Sequence, residues 1–296
     1  MAMIGKTRQE TAAEIREVFD ERAGKARGIL RRPPKEGKFA HARRVPAEKL
    51  TRWIAHYWIV SWDLRGCEPH VQETLPHPNF HLVLEAGRAT VSGVYTNKFT
   101  RVLKGKGQVF GIKFQPGGFR GFSKQPASQL ASKTVSTKRF FGKAIEKLAK
   151  EFARGGSEDA LVKKANEFFL ARVPEADPQV QVTSQLVARI FANPSINTVD
   201  DLAGETRIGK RSLQRIFKEY VGASPKWVIR RYRLHELVER FQQGRALDWA
   251  ELALELGYFD QAHLINDFRK VAGYSPAQYQ ALAEKSQRKM IFPSAR

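Results

Sequence analysis

One pattern of residues occurs twice in the C-terminal third of the chain, at a fixed spacing. Residues 209–225 read GKRSLQRIFKEYVGASP, and residues 260–276 read DQAHLINDFRKVAGYSP. In both stretches a leucine, a phenylalanine, a glycine and a Ser-Pro pair stand at equivalent places, 51 residues apart. This repeat constrains the fold strongly, because each copy has to form the same local structure.

Each copy predicts a helix, a tight turn and a second helix. In the second helix of the first copy Leu213, Ile216 and Phe217 share one face at helical spacing, and Leu264 and Phe268 do so in the other copy. The glycine that follows suits the position just past a helix end. The Ser-Pro pair suits the N-cap and first residue of another helix. This layout is that of a helix-turn-helix, whose second helix enters the major groove of DNA.

The segment between the copies predicts one long helix. Residues 225–241 read PKWVIRRYRLHELVERF and contain no helix breaker after the first proline. About 17 residues at ~1.5 Å each span roughly 25 Å. With the turns at both ends, such a helix would separate two recognition helices by about one turn of DNA, roughly 34 Å.

These features together resemble the DNA-binding domain of AraC-type (AraC/XylS) transcription regulators. The resemblance covers residues 180–285 and rests on the repeat, on RLHEL in the linking helix and on LALELGYFDQAHL before the second copy. The stretches ETLPHPNFHLVLE and VFGIKFQPGGF are similar to a sensor-like domain of uncharacterised type that precedes such units. The resemblance implies a bacterial transcription factor in the cytoplasm, associated with the nucleoid. Its partners would be double-stranded DNA and, for an activator, RNA polymerase.

The resemblance also indicates which residues read DNA. Arg211, Gln214 and Arg215 match family positions that approach base edges, and Arg on guanine or Gln on adenine contributes about 1–3 kcal/mol of discrimination. The second helix departs from the family pattern at Ala262 and Asn266, so we expect the first copy to carry more of the specificity. The alternative is a solvated helix face. The predicted DNA-binding residues are Lys210, Arg211, Gln214, Arg215, Lys218, Gln261, His263, Asn266, Arg269 and Lys270.

Basic residues of the linking helix are candidates for phosphate contacts. These residues are Lys226, Arg230, Arg231 and Arg233. Pairing with Glu236 or Glu239 is the alternative for some of them, and Arg233 matches a family position that often serves packing.

The chain has a formal net charge of +21, which is typical of proteins with a polyanionic partner. Most of the excess lies before the repeat, since residues 1–140 hold 26 basic and 11 acidic residues. The densest run, 25–52, holds ten basic and two acidic residues. It is either a solvated arm or a non-specific phosphate-binding arm. The charge therefore leaves a weakly specific, architectural DNA-binding protein as the alternative function.

The N-terminal half predicts a different architecture. Short β-prone runs separated by glycine or proline, such as NFHLVLE and ATVSGVYT, indicate an antiparallel sheet or barrel. The fold class is therefore α+β, with a barrel-like β-rich domain, a helical connector and an all-α domain. The predicted segments are a flexible basic arm (1–36), a sensor or dimerisation domain (37–136), a helical connector and linker (137–177), the DNA-binding domain (178–285) and a basic tail (286–296). Within the arm, residues 8–23 can form a short helix with Ile15, Val18 and Phe19 on one side.

A small β-barrel can hold one ligand among its inward side chains. A small-molecule effector is therefore a candidate partner, beside homodimerisation or a docked protein. The candidate pocket residues are Trp58, Trp62, His81, Tyr95 and Phe114. The alternative, that each of them is an ordinary core residue, explains the sequence equally well.

Several function classes receive no support. Cys67 is the single cysteine, and with His70, His77 and His81 it shows no metal-ligand spacing, so we expect no metal and no cofactor. No P-loop, HExxH motif or serine-centred elbow occurs, and an alkyl-accepting DNA-repair relative would need more cysteines. We therefore expect no enzyme. Neither a membrane span nor an apolar signal core is present, so we expect an unexported protein.

Overall fold

The computed structural model of the protein describes residues 14–24, 27–31, 37–243 and 248–282. Within these ranges the chain forms a β-rich N-terminal part, two helices that cover it and an all-helical C-terminal part, as the sequence predicts. The helices found there are too short or too polar to span a bilayer. The first residues of the predicted arm and the predicted tail at 286–296 lie outside the described residues.

In the described ranges, nine strands form two sheets. The strands are β1 (Glu14–Phe19), β2 (Lys38–Arg44), β3 (Ile54–Leu64), β4 (His70–Thr74), β5 (His81–Glu85), β6 (Arg88–Ser92), β7 (Phe99–Leu103), β8 (Gly105–Phe114) and β9 (Thr134–Ser136). Seven strands form one sheet in the order β1-β2-β3-β8-β5-β6-β9, and β4 pairs with β7. All neighbours are antiparallel except β1 and β2. The large sheet has two ends, so over the described residues it is open and only barrel-like.

The first strand corrects the prediction of a helix within residues 8–23. Glu14–Phe19 pairs in parallel with β2, from Glu14 opposite Lys38 to Phe19 opposite Arg43. The apolar spacing in this segment is compatible with a helix, but the edge of β2 offers backbone partners that a short helix of this composition cannot replace. Tertiary pairing therefore decides the local structure.

The basic run at 25–52 is not one continuous solvated arm. Leu30 is buried, its N–H donates to the carbonyl of Glu73 at 2.9 Å, and the N–H of Leu75 donates to Gly28 at 2.8 Å. Farther along, the run forms β2, in which Phe39 and Ala42 are buried. Parts of the predicted arm thus belong to the folded core.

The remaining elements are helices. They are α1 (Arg120–Ser123), α2 (Lys138–Ala153), α3 (Glu158–Leu170), α4 (Pro178–Ala192), α5 (Val199–Thr206), α6 (Lys210–Ile216), α7 (Pro225–Gln242), α8 (Trp249–Glu255) and α9 (Gln261–Ala272). A wider π-helical turn, Phe217–Val221, continues α6, and residues 276–282 are also helical. The connector helices α2 and α3 cover one face of the large sheet, where Phe152 stands edge-on to Phe110 at 4.7 Å between ring centroids.

The ends of the C-terminal helices follow the sequence signals. Ser224 caps α7 by accepting a hydrogen bond from the N–H of Trp227 at 3.2 Å, and Pro225 is the first helical residue. Gly222 and Gly273 have φ values of 84° and 77°, which favour glycine after a helix end. The predicted linking helix is therefore confirmed, and it ends one residue later, at Gln242.

The buried cores cross the boundary between the two parts of the chain. Phe114 and Phe119 of the N-terminal part belong to the same continuous cluster as Leu213 and Phe217 of the first helix-turn-helix unit. In a second cluster, Leu30 and Leu75 join the apolar residues of α7, α8 and α9. Each helix-turn-helix unit therefore shares its core with the N-terminal part.

Candidate nucleic-acid interface

The first helix-turn-helix unit consists of α5, a short turn and α6. Thr198 caps α5 in a reciprocal arrangement with Asp201, because the Thr198 side chain accepts from Asp201 N–H and the Asp201 carboxylate accepts from Thr198 N–H. Arg207, with φ of 55°, ends the helix and starts the turn. Leu213 and Ile216 are buried, which fixes the rotation of α6 about its axis.

The opposite face of α6 is open. Lys210, Arg211, Gln214, Arg215 and Lys218 are all exposed. Lys210 forms an ion pair with Asp200 of α5, whose own side chain is also exposed. The predicted residues of the first unit thus form one polar surface of long donors, as readout of base edges requires.

The second unit consists of α8, a turn and α9. Asp260 caps α9 by accepting from the N–H of His263 at 2.7 Å, and Leu264 and Phe268 turn into the core. The His263 ring stands edge-on to Tyr258 at 5.2 Å between centroids, and its Nε2 lies 3.4 Å from Arg230. The predicted residues that remain exposed are Gln261, Asn266, Arg269 and Lys270.

The linking helix α7 holds only two of its four predicted phosphate-contacting residues near solvent. Lys226 is exposed and Arg230 is half-buried. Arg231 and Arg233 have relative exposures of 4% and 2%. Their guanidinium groups lie in the protein interior and bind protein acceptors there. The prediction that these two residues contact phosphates is therefore corrected.

The interior contacts of these two arginines differ. Arg231 donates to the carbonyl of Thr96 at 3.1 Å and lies over the Trp227 ring at 4.8 Å. Arg233 donates to the carbonyls of Ile190 and Asn193 at 2.8 and 3.1 Å and pairs with Glu236 at 3.0 Å. Burial lowers the pKa of both guanidinium groups. The first arginine joins α7 to the N-terminal part, and the second joins α7 to the end of α4.

A buried carboxylate joins the N-terminal part to the second unit. Glu73 of β4 accepts hydrogen bonds from Arg31 and from the Tyr274 hydroxyl, both at 2.7 Å, and from Lys98. Burial alone would raise the pKa of this carboxyl, but the hydrogen bonds from Lys98, Tyr274 and Arg31 hold it below its ordinary value. The contact was missed because an isolated glutamate in a β-prone run carries no sequence signal of its partner.

The first unit is also attached to the N-terminal part by polar contacts. Arg120 of α1 pairs with Glu219 at 2.8 Å, and the Ser184 hydroxyl of α4 donates to the carbonyl of Pro116 at 3.1 Å. With these contacts in place, the donors of α6 are still exposed. Docking of the N-terminal part thus leaves that polar face open.

The five predicted pocket residues do not line one cavity. Trp58 and His81 are neighbours, with ring centroids 6.3 Å apart. Trp62 lines an open groove of about 860 Å³ beside β2 and the end of α2. Phe114 is fully buried, and the Tyr95 hydroxyl binds Thr134 at 2.5 Å near the last strand. Over the described residues, no group of His, Cys, Asp and Glu side chains is arranged to hold a metal ion.

Family comparisons agree with the two-part organisation. Residues 42–136 match a domain of unknown function (DUF6597), and residues 202–281 match a helix-turn-helix domain. The second match confirms the predicted helix-turn-helix domain, which is a DNA-binding module. None of the curated proteins compared with the chain matches it.

Several solved structures are similar to the chain. A transcriptional regulator of the AraC-type DNA-binding-domain proteins from Chromobacterium violaceum is 24% identical over 33% of this chain and 88% of its own, with a TM-score of 0.30. ToxT from Vibrio cholerae O395 is 11% identical over 73% of this chain and 94% of its own, with a TM-score of 0.38. The xylose-binding transcription activator xylR is 20% identical over 36% of this chain and 27% of its own, with a TM-score of 0.28.

Proposed function

We propose that this chain, which carries a helix-turn-helix domain of the AraC type at residues 202–281, is a sequence-specific transcription regulator that reads two successive segments of the major groove. The observation that carries the proposal is the pair of helix-turn-helix units on either side of α7, each with exposed polar side chains on its second helix. The helix α7 has 18 residues, or about 27 Å at ~1.5 Å each, which suits units spaced by one DNA turn.

The proposed base contacts lie on α6 and α9. Arg211, Gln214 and Arg215 have the side chains that pair in a bidentate manner with guanine or adenine. On α9, Asn266 suits adenine, whereas Ala262 suits the methyl group of thymine. The remaining proposed DNA-binding residues are Lys210, Lys218, Gln261, His263, Arg269 and Lys270, with Lys226 and Arg230 on phosphates.

The N-terminal part supplies regulation in this proposal. Binding of an effector in the sheet would change the position of the second helix-turn-helix unit. The apolar core that the two parts share and the contacts of Glu73 support this link. A small-molecule effector is the proposed signal. A homodimer and, for an activator, RNA polymerase are the proposed protein partners, and the site of action is the bacterial nucleoid.

The proposal is tested by binding purified protein to fragmented genomic DNA at about 150 mM salt, close to physiological ionic strength, followed by footprinting of the best sites. A shared motif with two half-elements about one helical turn apart is expected, with a preference of about 10³-fold or more over competitor DNA. Binding without a motif and with a steep salt dependence would instead favour the architectural alternative, to which the net charge of +21 would contribute.

Arg215→Ala is expected to weaken binding to the chain's own DNA site by about 1–3 kcal/mol, roughly 5- to 150-fold, because a bidentate base contact is lost. Asn266→Ala is expected to cost less. Fluorescence anisotropy titrations at one salt concentration measure both losses. Arg154→Ala, which removes an exposed charge at the end of α2, is the matched control and should leave affinity unchanged. Equal losses for the two helices, or a larger loss for Asn266→Ala, would contradict the ranking.

A further inference from the structure

A cluster of basic side chains lies on the face of the large sheet opposite the connector helices. Lys113 of β8 stands directly opposite His56 of β3 and His81 of β5 in the strand register. Directly opposite residues of neighbouring strands project from the same face. On β5 this face is that of His81 and Val83, whereas Leu82 and Leu84 are buried in the core cluster that α2 and α3 share.

The indole of Trp58 forms one wall of this cluster. It packs directly against Gly111, since a Cβ at Gly111 would come within 1.8 Å of its ring. The Trp58 ring is 6.3 Å from that of His81, and its buried Nε1 has no hydrogen-bond acceptor within the part of the chain that the structure describes. A buried N–H of this kind ordinarily has a partner. Gly111 thus makes room for the indole on the same face of the sheet as the two histidines.

No carboxylate balances Lys113 among the described residues. On β5, Glu85 is opposite Val109, four residues along β8 from Lys113, and it pairs with Arg101. Burial, followed by the charge of Arg43, lowers the pKa of Lys113 to about 7. Burial, followed by Lys113, lowers the pKa of His81 to about 3 and that of His56 below its usual range. A desolvated ammonium without a counter-charge is costly unless an anion joins it.

The cluster continues to the boundary with the DNA-binding domain. The charge of Lys113 also acts on His77, in the loop between β4 and β5, and on His235 of α7. The rings of His77 and His235 lie 4.4 Å apart, and His235 Nε2 lies 3.1 Å from the carbonyl of Pro76. The strand that carries His81 therefore begins directly after the loop that touches the linking helix.

We propose that Lys113, His56, His81 and Trp58 form a binding site for the oxyanion group, carboxylate or phosphate, of a small effector molecule. Lys113 would supply the charge, and the imidazoles and the Trp58 Nε1–H would donate hydrogen bonds. Val60 and Val83, half-buried on the same side, would contact an apolar body. This inference rests on the proposed function, because it identifies the chemistry of the regulator's signal. Binding would act on the loop at 75–80 and through it on α7.

The test measures the melting temperature of the full chain at pH 6.5 and constant ionic strength. The probes are benzoate with benzyl alcohol, octanoate with octanol, and inorganic phosphate with chloride. At least one oxyanion is expected to raise the melting temperature by several degrees in a saturable manner, while its uncharged or chloride counterpart does not. Equal shifts with the counterparts, or no shift with any of the oxyanions, would overturn the proposal.

Lys113→Met is expected to abolish the oxyanion response. Lys106→Met removes an exposed lysine of the same strand and should leave the response intact. Without a ligand, Lys113→Met should raise the melting temperature, because it removes a half-buried charge that has no partner among the described residues. A purely structural lysine would give the opposite change. Trp58→Phe, which removes the indole N–H but keeps an aromatic ring, should weaken the response. Retention of the full response in Lys113→Met would overturn the assignment.

The response should also depend on pH. The titratable groups that interact electrostatically with Lys113 are Arg43, His56, His77, His81 and His235. Because the folded pKa of Lys113 is about 7, the ammonium is mostly present at pH 6.5 and mostly lost at pH 9. Oxyanion affinity should therefore fall by about tenfold or more between these values, and a pH-independent affinity would contradict the role of Lys113.

Specific DNA binding, measured on the same samples, separates the two proposals. A protein that selects a DNA motif but ignores every oxyanion would retain the proposed function and lose this site. A protein that binds an oxyanion through Lys113 but selects no motif would do the reverse.

Discussion

Replacing Arg233 with methionine should lower the free energy of unfolding by about 3 kcal/mol, because it removes a buried cation from a set of fixed acceptors. The guanidinium donates to the carbonyls of Ile190 and Asn193, which end α4, and pairs with Glu236 on its own helix. Methionine fills much of the same volume but leaves both carbonyls without this donor. Glu236 keeps Arg240 as a partner, so the carbonyls account for most of the loss.

Urea denaturation of the full chain measures this change, with Arg189→Ala as the control. The Arg189 side chain is 51% exposed and lies 3.4 Å from Glu205, so its removal should change stability by less than about 0.5 kcal/mol. Arg233→Lys should give an intermediate loss of stability, because an ammonium cannot reach all the acceptors that the planar guanidinium group reaches. If Arg233→Met were as stable as the parent, the guanidinium would not be the group that fixes α7 to α4.

Gly111→Ala should destabilise the N-terminal sheet by about 3 kcal/mol through overpacking. The added methyl group would lie 1.8 Å from Trp58 Cε2 and 2.1 Å from Cζ2. The indole cannot stay across β8, and its neighbours on β3 and β5 limit where it can go. The same urea series measures the loss.

Two further variants make this prediction specific. Gly204→Ala, at a helical position with no atom within 4 Å of the added Cβ, should stabilise the chain by about 0.5–1 kcal/mol. In the background of Trp58→Leu, Gly111→Ala should cost much less, because the clash is with the indole itself. An unchanged cost in that background would show that the strain arises elsewhere in the sheet.

The helix-turn-helix units could be predicted from sequence because their signals are local. Ser224, Pro225, Gly222 and Gly273 act within a few residues of where they stand, so caps and helix ends follow from the repeat. The exposed face of α6 follows from the apolar spacing of Leu213 and its neighbours for the same reason.

Other features depended on contacts that are distant in sequence. The strand Glu14–Phe19 forms because β2 offers an edge. Arg231 and Arg233 are buried against acceptors that come from Thr96 and from the end of α4. The role of Glu73 depends on Tyr274, 201 residues away. The signal at Lys113 was visible, as a lysine between Ile112 and Phe114 in an apolar strand, but its histidine neighbours are set by strand register.

The crossing of the cores has a consequence for chimaeras of such proteins. Leu30 and Leu75 lie in the cluster that holds α7, α8 and α9, and Phe114 and Phe119 lie in the cluster that holds α6. A recombinant that joins residues 178–296 to a foreign N-terminal domain would keep the chain connection but lose these four side chains. The helix-turn-helix domain therefore could not be transferred on its own. An exchange of domains would succeed only with a donor domain that restores the same apolar surface.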